Sequence, residues 1–387
     1  MTTKELDKKY VANTYARFDL ALVKGKGAYV YDEEGNEYID LGTGIAVNTF
    51  GVNDEEWKQA VIAQLNNVQH TSNLYYSQPC ALLAQTLCEK TGMKKVFFSN
   101  SGAEANETAI KVARKYGADK KGKDYFTIIT LKNSFHGRTI TTLSATGQDV
   151  FHENFTPMTA GFAHATANDI DELKSLIKQY KCCGIMLELV QGEGGVMPLC
   201  QDYVKQAYQL AKENDLIFIV DEVQTGNGRT GSLYAYMQYD IMPDVVTTAK
   251  GLGGGLPIGA TMLNESVEAI FTPGLNGSTF GGNPIACAGA INIMQRLDET
   301  LLSEVRKKSE YIFKTLQGVK GVKSVTGLGL MIGIESTRPA LEVINACQKR
   351  GVLVIKAKNK IRLLPPLNIP FETLKTAIEI LKQELMK

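Results

Sequence analysis

The sequence predicts an α/β protein built on a mostly parallel sheet, and three observations carry that reading. From Val96 to Asn214, apolar runs of strand length alternate with helical patterns, as strand–helix crossovers do. Leu216–Val220 is apolar throughout, the mark of a strand covered on both faces. That run ends in Asp221, and a second run opening at Val245 and Val246 ends in Lys250. Ligands of open parallel sheets bind at strand carboxyl ends, so both charges are placed for chemistry.

Ahead of the alternation, Ala28–Tyr31 and Tyr38–Leu41 read as strands around a Glu34-Gly35 turn, a hairpin too small to stand alone. Trp57, Val61, Leu65 and Val68 recur at helical spacing, with Asn53 and Glu56 as a capping pair. Another helix runs from about Pro79 to Gly92. Val96–Phe98 is a strand, Ser101-Gly102-Ala103 a tight turn, and Glu104–Tyr116 a helix. Free N–H groups at such a helix start suit a phosphate, and a plain capped helix has the same pattern. The strand Phe126–Leu131 delivers Phe135, His136 and Arg138 to its carboxyl end. There Phe135 can stack on a planar ligand and Arg138 can grip a carboxylate, though a core Phe and a surface Arg read alike.

A helix over Asp169–Tyr180, a strand over Gly184–Val190 and a helix over Gln201–Asn214 complete the alternation. Asn264–Ile270 is expected to be helical, Asn276–Pro284 is a polar glycine-rich loop, and a long helical stretch starts near Ile285. Beyond Leu297 the elements are smaller: strands within Lys323–Ser336, a helix over Pro339–Arg350, then strands Val352–Ile355 and Ile361–Leu364. Leu374, Ile378, Leu381 and Leu385 stripe a last helix. A domain boundary is expected near residue 296.

With 387 residues the chain can bury two domains, and a net charge of +1 without charge blocks argues against nucleic-acid or polybasic membrane binding. The polar start MTTKELDKKY lacks the apolar core of a signal peptide, and no apolar run approaches membrane-span length. Seven cysteines without Cys-x-x-Cys spacing predict reduced thiols and a cytoplasmic location. His70, His136, His152 and His164 lack metal-site spacing, so no metal is expected.

The two strand-end charges suggest a division of labour. Lys250, followed by Gly251, Gly253, Gly254 and Gly255, suits an imine with an aldehyde, the glycines letting a bulky group approach. Asp221 can hold a heterocyclic nitrogen protonated. Pyridoxal phosphate (PLP) requires that pair, because its protonated pyridine is the electron sink. An Asp capping a turn and a solvated lysine in a flexible loop fit the same residues.

Eight segments stand in order along the chain: KGKGAYVYDEEGNEYIDLGTGIAVN, FFSNSGAEANETAIKVAR, NSFHGRT, VQGEGGV, DEVQTGNGRTG, AKGLGGGLPIG, GSTFGGNP and IRLLPPL. Together they resemble the class-III aminotransferases of the ornithine/acetylornithine type, PLP enzymes of fold type I, over nearly the whole chain. The resemblance implies a large PLP-binding domain over residues 47–296 with a mostly parallel seven-stranded sheet. It implies a small α/β domain over 297–387, against which residues 1–46 pack. Lys250 would be the Schiff-base lysine and Asp221 the partner of the pyridine nitrogen. Gln224 would bond the ring 3′-oxygen, Phe135 would stack on the ring, and Glu222 and Val223 would border the cofactor. Ser101, Gly102 and Ala103 would hold the phosphate, helped by Thr279 from a second subunit.

For substrates, the resemblance implies Arg138 for the donor carboxylate and Arg362 for the α-carboxylate of glutamate or 2-oxoglutarate. Glu193 would pair with Arg362, Ser278 would face substrate across the subunit interface, and Tyr15 would line the substrate site. A homodimer with shared active sites follows. The implied reaction moves the δ-amino group of N2-acetylornithine to 2-oxoglutarate. Ornithine, succinylornithine, N-succinyl-diaminopimelate and 4-aminobutyrate stay open as donors. Two other classes fit worse. GLGGGLPIG lacks the spacing and downstream acid of a dinucleotide site, and a non-catalytic relative would be expected to lose Lys250 or Asp221.

Overall fold

The apolar runs set the centre of the molecule. In the computed structural model, which describes residues 1–387, they form a seven-stranded sheet. Its strands lie in the order Lys95–Ser99, Gly259–Leu263, Val245–Thr248, Ile217–Asp221, Cys182–Leu187, Thr127–Leu131 and Phe162–Ala165. Gly259–Leu263 runs against its two neighbours, and the other strands run together. Every residue of the three strands from Gly259–Leu263 to Ile217–Asp221 is buried. The helix Gly102–Lys120 lies across six of the strands, and small residues on its buried side (Ala105, Ala109, Ala113) allow the close approach.

Several local expectations change. The helix Glu55–Leu65 is capped by Asp54, whose carboxylate accepts from Trp57 N at 3.0 Å, rather than by Asn53 and Glu56, and it ends before Val68. Asn264–Ile270 forms turns, not a helix. There Asn264 Oδ1 accepts from both the backbone N–H and the hydroxyl of Ser266, the local bonding that competes with helix formation. The stretch after Ile285 is two helices, Pro284–Arg296 and Glu299–Leu316; Asp298 separates them and caps the second through Leu301 N.

Two smaller sheets tie the chain ends together. Leu22–Lys26, Tyr29–Asp32 and Glu37–Asp40 form a meander whose fourth strand is Val352–Leu353, parallel to Glu37–Asp40. Val322–Leu328, Met331–Ser336, Lys360–Leu363 and Ile355–Ala357 form an antiparallel sheet, with Arg362 opposite Gly333 and Ile355. One apolar core runs from Ile39 and Leu41 through Phe218 and Val220 to Leu374 and Leu385. No helix is long and apolar enough to cross a membrane.

Candidate active site

The parallel strands end along one edge of the large sheet, and a cavity of about 400 Å³ opens there. Ser101, Gly102, Ala103, Phe135, Arg138, Asp221, Val223, Gln224 and Lys250 all line it. The antiparallel strand contributes through the segment that leads into it, Leu256-Pro257-Ile258.

Asp221 closes its strand opposite Thr247 and is buried. Its Oδ2 accepts from Asn106 Nδ2 at 2.7 Å and meets His136 Nδ1 at 2.8 Å, while Oδ1 accepts from Val223 N at 3.0 Å. The Asn106 amide is fixed in turn, because its Oδ1 accepts from Thr247 Oγ1 at 2.7 Å. A carboxyl group buried away from water needs such partners. Asp221 is therefore held in one orientation on the cavity wall.

Lys250 follows Val245–Thr248 and has φ 44°, a left-handed backbone that non-glycine residues seldom adopt outside functional sites. Burial holds its amine below the ordinary lysine range; Arg362 adds to that, and Glu193, Asp221 and Glu188 offset it only in part. A larger neutral fraction makes a better nucleophile and base. Of the glycines that follow, only Gly255 lines the cavity. Gly253 and Gly254 serve packing instead: a Cβ on the first would strike Leu256 O at 2.0 Å, and on the second Trp57 Nε1 at 2.9 Å.

Ser101 caps the helix Gly102–Lys120 by accepting from Glu104 N, leaving the helix start on the cavity wall. A Cβ on Gly102 would lie 2.6 Å from Val223 Cγ1, so the helix start and the Val223-Gln224 wall meet only through glycine. Arg138 has its guanidinium 4.1 Å from the Phe151 ring centre and 5.5 Å from that of Phe135, which restrains a long side chain near the cavity mouth.

Beside the cavity, Arg362 Nη1 donates to Glu193 Oε1 at 2.5 Å and to Gln224 Oε1 at 3.1 Å. Burial alone would raise the Glu193 pKa, but the Arg362 guanidinium, with Lys250 and Gln224, outweighs it and holds the carboxyl below its usual range. A Cβ on Gly192 would come within 2.7 Å of Gln224 Nε2, so this turn also needs glycine to bring Glu193 in.

Like Arg362 and Glu193, four other expected residues are not part of the cavity wall. The Glu222 carboxylate turns to Thr225 Oγ1 and Tyr236 N and is wholly buried. Thr279 is exposed beside His70 and Asn73, outside the cavity. Ser278 borders the site indirectly, its Oγ accepting from Asn100 Nδ2 at 3.3 Å. Tyr15 is exposed; its neighbours from Ala16 to Asp19, with Arg362, line a second cavity of about 810 Å³. Asn106 and Glu188 were not among the expected site residues, yet both line the first cavity. Asn106 had a legible signal, a polar residue on the helical stripe of Ala109, Ile110 and Ala113.

A buried amine, a buried fixed carboxylate, a flanking aromatic ring and a helix start match the aldehyde, ring nitrogen, ring face and phosphate of PLP. The solved structures with this fold include N-acetylornithine aminotransferase from Stenotrophomonas maltophilia, at TM-score 0.85 and 33% identity over 98% of this chain and 97% of that one. Ornithine aminotransferase from Toxoplasma gondii superposes at TM-score 0.95 and 31% identity, over 100% of this chain and 96% of that one. The fold is that of the PLP-dependent aminotransferases, and PLP is the cofactor. The model of the family described as aminotransferase class-III matches residues 10–385. Acetylornithine aminotransferase from Haemophilus ducreyi is 52% identical over 384 residues, covering 99% of this chain and 98% of that one. The chain belongs to the class-III aminotransferases.

Proposed function

We propose that the protein transfers the δ-amino group of N2-acetylornithine to 2-oxoglutarate, releasing N-acetylglutamate 5-semialdehyde and glutamate, as a cytoplasmic step of arginine biosynthesis. Relatives named acetylornithine aminotransferase, 40–52% identical over nearly the full chain, support the donor. The observation that carries the mechanism is the Arg362–Glu193 pair beside the cavity. Glutamate bears a carboxylate on its reacting carbon, and acetylornithine does not. An unpaired cation in a nearly water-free site is costly, so Glu193 serves as the anion when the substrate brings none. With glutamate or 2-oxoglutarate, Arg362 exchanges Glu193 for the substrate carboxylate.

PLP supplies an aldehyde that carries the amino group between substrates and a ring that accepts electrons from the reacting carbon. Lys250 Nζ would hold it and would serve as the base that moves the proton at the substrate's reacting carbon. Asp221 keeps the ring nitrogen protonated, with Asn106 and His136 holding Oδ2 in place. Phe135 would stack on the ring, Gln224 would hydrogen-bond the ring oxygen, and Ser101, Gly102 and Ala103 would hold the phosphate. Arg138 grips the distant carboxylate that both substrates share.

The working form is a homodimer in which Ser278 and Thr279 serve the partner's site. Its support is a run of exposed apolar residues, Leu74, Tyr75, Tyr76 and Phe280, around that loop. The division into residues 1–46, 47–296 and 297–387 is supported by the pairing of Val352–Leu353 with Glu37–Asp40. Single-turnover cofactor spectra with acetylornithine, ornithine, succinylornithine, N-succinyl-diaminopimelate and 4-aminobutyrate test the donor. Acetylornithine should react fastest at equal concentration, and another donor tenfold ahead would refute the assignment.

A further inference from the structure

Glu188 has no part in the chemistry above, yet it is buried in the cavity wall. Its strand, Cys182–Leu187, runs parallel to Ile217–Asp221 with Leu187 opposite Val220, so Glu188 emerges beside Asp221. Two acids placed side by side away from water are expensive, and such a pair persists only with compensating hydrogen bonds. Glu188 has two. Oε1 accepts from the backbone N–H of Phe135 at 2.8 Å, and Oε2 from that of Gly192 at 3.2 Å.

Those amides belong to different loops. One presents Phe135 and Arg138 to the cavity, and the other presents Glu193 to Arg362. A second link, Gln191 Nε2 to Lys132 O at 2.9 Å, joins the same loops through residues absent from the cavity wall. Glu188 is the link at the reacting end.

We propose that Glu188 is a positioning residue coupling the ring-stacking loop to the Glu193–Arg362 pair, so that the aromatic wall and the substrate-carboxylate cation move together. This rests on the reading that Glu193 stands in for a missing substrate carboxylate. Burial, with Asp221 adding to it, pushes the Glu188 carboxyl up to about 7, against His136 and the two N–H donors. Its contribution to this coupling is geometric, through the two backbone amides it joins.

Glu188→Gln tests the coupling in the PLP-loaded enzyme, since an amide oxygen can accept one of the N–H groups and the amide nitrogen cannot accept the other. Hydrogen exchange should rise at least tenfold in peptides holding Phe135 and Gly192, and stay unchanged in Ile217–Asp221. The ratio of glutamate to acetylornithine half-reaction rates should shift. In the double variant with Glu193→Gln, the two shifts should fall at least threefold short of their product. Glu188→Asp, which keeps two acceptor oxygens, should recover part of the lost coupling. Unchanged exchange at either loop overturns the tie, and shifts that multiply overturn the coupling. A ratio unmoved by Glu193→Gln alone sinks the stand-in reading, and this inference falls with it.

Discussion

Gly102→Ala adds one carbon where the helix start meets Val223. The new Cβ would lie 2.6 Å from Val223 Cγ1 and 2.9 Å from Cγ2. Val223 is β-branched and its methyls cannot rotate away cheaply, so the helix start must retreat from the cavity wall. Overpacking of this kind costs about 1–3 kcal/mol. Retreat of the helix start relieves part of that strain in the apoprotein, so the protein should still fold. The cofactor has no such compensation, because the backbone N–H groups assigned to its phosphate move with the helix start. PLP affinity should fall roughly 5- to 150-fold, the equivalent of that strain. Titrating the apoprotein with PLP and following absorbance measures it, with thermal unfolding of the apoprotein as the control. Adding Val223→Ala removes the clashing methyls and should restore most of the affinity. Affinity within twofold of the parent in Gly102→Ala would refute the assignment of this helix start to the phosphate.

Three further outcomes are expected. Asp221→Asn keeps shape and loses the fixed anion, so turnover should fall about a hundredfold with a much smaller loss of PLP affinity; equal losses would indicate a purely positional role. Burial pushes the Glu222 carboxyl from 4.5 to about 7. The folded protein thus holds a proton that the unfolded chain has released, and stability falls as pH rises through that window by up to about 1.4 kcal/mol per unit. Glu222→Gln should flatten the slope of urea-unfolding free energy between those pH values, and an unchanged slope would count against a neutral Glu222. Mixed dimers of Lys250→Ala with Thr279→Asp should regain activity through one intact site, whereas inactive mixed dimers would argue against sharing across the interface.

The sequence announced the chemistry where it broke a physical pattern. Asp221 and Lys250 are charges ending apolar runs, and such breaks are legible without a structure. Glu188 breaks its apolar run in the same way, but GIMLELV reads as one strand, which in fact ends at Leu187. Glu222 illustrates the opposite error. It follows Asp221 directly, and because successive side chains at a strand end point to opposite sides, its carboxylate turns to Thr225 and Tyr236. Gly259–Leu263 escaped notice because its apolar run is short and follows directly on the glycine-rich stretch after Lys250. The helical expectation for Asn264–Ile270 failed because periodicity says nothing of Asn264 bonding locally to Ser266. Contacts between distant segments, such as Glu193 with Arg362, have no signature in the residues alone.

The proposed chemistry depends on Lys250 as the amine that carries the cofactor. Borohydride reduction of the PLP-loaded enzyme, followed by peptide mass mapping, tests that directly. The reduced cofactor should sit on Lys250, and Lys250→Ala should bind PLP yet retain none after reduction and unfolding. Cofactor fixed to any other lysine of the native enzyme, or robust turnover by Lys250→Ala, would contradict the account.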